Sequence, residues 1–220
     1  MEAISKSTLD FLKSLKNNNN REWFNQNKEA YLEARRNYES FVQEFIDRIV
    51  KFDPVLKGLE APSCTYRINR DIRFSNDKSP YKSHFGAFVV KGGKQNGDKY
   101  AGYYFHVEPG NSLFAGGAYM PPAPWLASIR EKIDDEGERL AKIINAKEFK
   151  SVFGSLEGEK LKTAPKGFPK DHPYIDLLRM KSYLVEFSIS DKEVVSEECM
   201  DKIVRGAKVM KTLNDFLNEY

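Results

Sequence analysis

Apolar positions recur at helical spacing towards both ends of the chain and alternate in its middle, a pattern that predicts helices around an antiparallel sheet. Ser7 precedes the amphipathic stretch Leu9, Phe11, Leu12 and Leu15, so a short first helix is expected, stopped by the polar run Asn17 to Asn20. Asn20 is placed to cap a long helix over 20–52. Along it Tyr31, Tyr38, Val42, Phe45 and Ile49 recur at steps of seven, four, three and four and make one apolar stripe, until Pro54 ends it. The opposite face, with Lys28, Glu29, Glu33, Arg36 and Glu39, reads as solvated surface.

From Cys64 to Met120 the period changes to two, which predicts strands over 64–74, 84–91, 100–108 and 112–119. Short connections favour antiparallel pairing, and the loop Gly92-Gly93-Lys94-Gln95-Asn96-Gly97 reads as a hairpin tip rather than a phosphate cradle, because no Gly-Lys-Ser/Thr ending leads into a helix. Pro121 to Pro124 introduce a helix through Trp125, Ile129, Ile133, Leu140 and Ile144, with Gly137 as its weak point. A long ordered loop over 154–173, a short helix over 174–180 and a strand over 183–189 follow. Ser190 or Asp191 then caps a last helix running towards Phe216. The expected fold is α+β: one domain over 1–220, with a mainly antiparallel sheet of about five strands packed against several helices, the long and the last helix covering one face.

Composition narrows the function classes. Lys and Arg total 35 against 32 Asp and Glu, so no global field of either sign draws the chain to nucleic acid or a membrane. The amino terminus is too charged for a signal peptide, and no stretch has the length of a membrane span. Cys64 and Cys199 form neither a Cys-x-x-Cys pair nor a disulfide framework, which suits a reducing compartment; a cytoplasmic location is expected.

Candidate chemistry concentrates in 64–84. Strand alternation over 64–74 puts Arg67, Asn69, Asp71 and Arg73 on one face, about 7 Å apart, an array able to grip an anion through bidentate guanidinium contacts. Arg70 falls on the apolar side, where it needs a partner or a ligand. Lys78, Tyr81, Lys82 and His84 follow in a turn held by Pro80. A salt-bridge ladder on an exposed face is the alternative account of these charges.

The runs Asn18-Asn19-Asn20-x-x-Trp23-Phe24, Tyr66-Arg67-Ile68-Asn69-Arg70-Asp71-Ile72-Arg73-Phe74-Ser75, Asp77-Lys78-Ser79-Pro80-Tyr81-Lys82 and Ala101 to Gly110 resemble the hallmarks of a bacterial and fungal domain-of-unknown-function family of the DUF 2461 type. Pro165 to Phe168, Asp171-His172-Pro173 and Leu177 to Ser182 extend the resemblance over nearly the whole chain, with Tyr119 standing where many relatives have Trp. The resemblance implies a shared fold and a shared site at these polar positions without supplying a reaction.

The residues leave several chemistries to compare. Nucleophilic catalysis lacks a Gly-x-Ser-x-Gly elbow, and Cys64 reads as a buried, inert thiol. His106 and Glu108 share a strand face, and His84 or His172 could complete a two-His, one-carboxylate set. The spacing is common, however, and about five strands are too few for the double sheet that usually hosts such a centre, so no metal is expected and no cofactor is named. Acid–base work fits better. Asp71, His84, His106 and Glu108 are the candidate catalytic groups, and Arg67, Arg70, Arg73, Lys78, Tyr81, Lys82 and Lys181 the candidate ligand contacts, for a phosphorylated or carboxylated small molecule. The alternative is a nucleic-acid or protein-partner module. It would use the aromatics interleaved with these cations, or Trp23, Phe24 and Trp125, although packing of the helices on the sheet is the favoured account of those three.

Overall fold

The computed structural model describes residues 3–219, and in it four strands make one antiparallel sheet in chain order: β1 (Phe85–Val89), β2 (Gly102–Val107), β3 (Ser112–Ala118) and β4 (Tyr183–Ile189). The helices are α1 (Lys6–Asn17), α2 (Arg21–Gln26), α3 (Lys28–Ile49), α4 (Ala61–Cys64), α5 (Ala123–Asn145), α6 (Lys147–Phe153), α7 (Ile175–Leu178), α8 (Asp191–Val194) and α9 (Glu198–Asn218).

One face of the sheet carries the core. Register pairs Phe85 with Val107, Ala87 with Phe105 and Phe105 with Phe114, so these side chains share a face and are all buried. α3 lies on them: Tyr38 and Phe41 stack on Phe105, Phe45 meets Phe114 edge-on, and the buried Tyr38 hydroxyl donates to the Phe105 carbonyl at 2.8 Å. Each such aromatic contributes roughly 1.5–3 kcal/mol by leaving water. α9 sits directly on β3 because Gly116 has no side chain; a β-carbon there would lie 2.2 Å from Met210 Sδ. Thus α3 and α9 do cover one face, as the two apolar stripes require.

Several boundaries differ from the periodicity. Ser5, not Ser7, caps α1, accepting from Thr8 N at 3.1 Å. Asn20 caps the short α2, accepting from Trp23 N at 2.9 Å, and the backbone breaks at Asn27 before α3 resumes. The apolar stripe begins at Tyr31, beyond the break, so it carried no information on how the chain runs over 20–27. α5 kinks at Glu136, beside Gly137, where the Tyr174 ring occupies the space a side chain would need. Ser190 and Glu193 form a full capping box on α8. The expected loop 154–173 holds no helix or strand, but Glu157 bridges to Leu184 and so covers the outer edge of β4.

The fifth strand, over 64–74, is absent. α4 takes the chain to Cys64, Thr65 bridges to Ala87 at the outer edge of β1, and the chain then leaves the sheet. From Ile68 it closes on itself: Asn69 bridges to Tyr81, Arg70 N donates to Pro80 O and Lys82 N to Ile68 O. Alternating polarity arose here from a self-satisfied loop, so the inferred row of Arg67, Asn69, Asp71 and Arg73 on one strand face does not exist. Among the described residues no helix is long and apolar enough to cross a membrane.

Candidate functional site

The other face of the sheet carries Phe88, Tyr104, His106, Leu113, Ala115, Leu184 and Glu186, alternate residues to those of the core. A cavity of about 730 Å³ opens on it. Its floor is Phe88, Leu113, Ala115 and Leu184; Tyr66, Lys82 and His84 form one wall, and Lys94, Gln95 and Asp98 of the β1–β2 loop another. Gly117 and Tyr119, the latter exposed, also line it. An apolar floor with a few polar groups at the rim is the usual make-up of a small-molecule site.

At one side of the cavity three groups converge. Register pairs Phe85 with Val107 and Gly86 with His106, so His84, just before β1, falls opposite Glu108, just after β2. The His84 and His106 rings stand 4.3 Å apart, and His106 Nε2 is 3.3 Å from Glu108 Oε2. The Tyr104 hydroxyl lies 3.0 Å from His106 Nδ1, giving a chain Tyr104–His106–Glu108 along alternate residues of one strand. With Nε2–H donating to the carboxylate, Nδ1 is left to accept from the tyrosine. Ser83 Oγ donates to Glu108 Oε1 at 2.9 Å, Asn111 Nδ2 to Oε2 at 3.3 Å, and Lys16 Nζ approaches Oε1 at 3.5 Å.

Burial sets the protonation states. It pushes His84 down to about 4, helped by His106, and lowers His106 as well, so both rings are neutral at pH 7. Burial pushes Tyr104 up to about 12, keeping its proton. Glu108 is pushed up by burial, but its bonds from Ser83, Asn111 and His106 together outweigh that and hold it below the ordinary carboxylate range. Lys82, its ammonium over the Tyr66 ring, is lowered by burial and then by Arg67.

The predicted site residues therefore divide. His84 and Lys82 line the cavity, His106 and Glu108 meet His84 beside it, and the exposed Arg67 is near Lys82. The others lie outside this cluster, each with partners of its own. Arg70 does not lie among core residues as the strand reading required: it bonds Asp77, with Ser75 Oγ and the Ser79 carbonyl at 3.4 Å. Arg73 pairs with Asp71 at 2.7 Å on the exposed loop, so Asp71 is not at the His cluster. Lys78 donates to the Ile72 carbonyl, and Lys181 pairs with Glu159. Tyr81 is buried, stacked on Phe24 at 3.9 Å, with its backbone clamped on both sides by the Asn19 amide. His172 pairs with Asp134 elsewhere.

A nucleic-acid platform loses Tyr81, Tyr103 and Phe105, which are buried, while Tyr66 and Phe74 stay exposed. Trp23 packs on Phe11, and Trp125 donates to the Leu217 carbonyl, so neither is a free anchor. Tyr104, Tyr66 and Phe88 were missed as site residues; the parity of β2, which puts 104 with 106 and 108, was the available signal. The model of the conserved hypothetical protein family DUF2461 matches residues 7–216. No curated protein and no solved structure matches the chain.

Proposed function

The chain belongs to the DUF2461 family, whose description names no reaction, and we propose on the geometry of the open sheet face that it is an enzyme acting on a small molecule with an apolar body and an anionic group. The observation that carries this is the Tyr104–His106–Glu108 hydrogen-bond chain ending at a cavity that also holds Lys82. A proton leaving a bound molecule for the Tyr104 oxygen is passed to His106 Nδ1, and Glu108 steadies the imidazolium through Nε2–H, the division of labour of an acid–base relay. Lys82, disfavoured as a cation where it stands, gains when a phosphate or carboxylate comes beside it. Phe88, Leu113 and Leu184 receive the apolar body. The buried thiols Cys64 and Cys199, the latter pushed up to about 12 by burial, suit a cytoplasmic protein.

The test is thermal unfolding with phenyl phosphate, benzoate, hexanoate and inorganic phosphate, in the wild type, K82A and A115W. A ring- or chain-bearing anion at about a hundred times its dissociation constant adds roughly 2.7 kcal/mol, a shift of several degrees. K82A is expected to weaken the shift and A115W, which fills the floor, to remove it. No shift with any of the four, or an undiminished shift in A115W, overturns the reading.

A further inference from the structure

We propose that His84, His106 and Glu108 bind a divalent first-row transition-metal ion beside the cavity. This rests on the reading of that cavity as an active site and names its cofactor; with the ion on Nε2, His106 and Glu108 no longer relay a proton, and a water on the ion would supply the acid–base group instead. The ligand atoms of the three residues all lie within 4.8 Å of one another. Around a tetrahedral ion with bonds near 2.1 Å they would stand about 3.4 Å apart, so small side-chain rotations complete the set. Two imidazoles, which are borderline donors, beside one hard carboxylate suit zinc, cobalt, iron or manganese better than calcium or magnesium.

The surroundings are those of a built site. The Tyr104 hydroxyl fixes the His106 ring from Nδ1, leaving Nε2 towards Glu108; with metal on Nε2 the imidazole carries its proton on Nδ1, which donates a hydrogen bond to the tyrosine oxygen. Ser83, donating to Oε1, and Asn111, donating to Oε2, orient the carboxylate. Lys16, the cation now nearest Glu108, has a side chain 57% exposed and is free to swing out as the ion enters. Three protein ligands leave coordination positions open, and because His84 also lines the cavity they adjoin the bound molecule, as in catalytic rather than structural centres. The chain has three histidines, and the third, His172, is held by Asp134 and the Tyr174 backbone away from the cluster, so it supplies an internal control.

Untagged full-length protein, stripped with chelator, is dialysed against Co²⁺ or Zn²⁺ and its bound metal counted, with the visible Co²⁺ spectrum as a second readout. One equivalent per chain is expected, with a spectrum of low coordination number. It should be lost in H84A and E108Q, kept in H172Q, and bound roughly tenfold more weakly in Y104F. Circular dichroism establishes that each variant is folded, and E108Q, which keeps the side-chain shape, serves if H84A is not. No bound metal, or a full equivalent retained in both H84A and E108Q, overturns the proposal. Phenyl phosphate binding without metal binding would leave the cavity reading standing and remove the metal; metal binding without any anion probe would do the reverse.

Discussion

Tyr104 lies across Gly86: a β-carbon on Gly86 would sit 2.9 Å from the Tyr104 hydroxyl, the same oxygen that reaches His106 Nδ1. The missing side chain on β1 is thus what lets a tyrosine on β2 lean along its own strand towards the histidine.

Gly86→Ala is expected to leave the protein folded, because only the tip of a rotatable side chain must give way, and to lower stability by about 1–3 kcal/mol. Its effect on Co²⁺ affinity should match that of Y104F, since both remove the tyrosine from His106. Gly117→Ala is the contrast. Its backbone has φ +106° and a β-carbon would lie 2.1 Å from the Tyr183 carbonyl oxygen, so this variant is expected not to fold. Thermal unfolding of the pair, with metal titration of G86A, checks both statements.

The loop 68–82 should respond to Arg70→Ala locally. Its bonds to Asp77, Ser75 and Ser79 are part-exposed, so global stability is expected to fall by no more than about 1 kcal/mol, while cleavage by protease within 71–79 accelerates. Asn19→Ala should cost more, about 1–3 kcal/mol, because it strips hydrogen bonds from both backbone groups of the buried Tyr81. A loss of several kcal/mol in R70A, larger than in N19A, would contradict this order.

Acid should weaken the β4–α8 corner. Lys202 and then Ser190 hold the Glu193 carboxyl down to about 2, below the roughly 4.3 of an unfolded glutamate. A depressed carboxylate contributes stability above the unfolded value and loses it as pH falls from about 4.3 to about 2. Glu193→Gln should therefore be less stable than wild type at pH 7, by no more than about 1 kcal/mol for so exposed a group, with the difference gone by pH 2. Denaturant midpoints at pH 7, 4 and 2 decide it.

Much of the fold was legible because its signals are periodic and local. The stripe through Tyr38, Val42 and Phe45 and the alternation of 102–107, 112–118 and 183–189 report which side of each element meets the core, a property each residue carries in its own hydrophobicity. The same logic failed over 64–74, where charged and apolar residues alternate for a different reason: Ile68 is buried under the loop while Arg70 and Arg73 find acids within it. Periodicity records polarity, not the partner that satisfies the backbone.

By itself the sequence determined an α+β chain with an antiparallel sheet under two long helices, and it marked His84, His106, Glu108 and Lys82 as chemically active residue types. Only the tertiary structure decided which of the polar residues meet. Register puts His84 opposite Glu108, Gly86 makes room for Tyr104, and the closed loop pairs Arg73 with Asp71 and Arg70 with Asp77. The reason is geometric: a side chain's type is written at one position, whereas a site needs distances of about 3 Å between positions whose separation in sequence says nothing of their pairing.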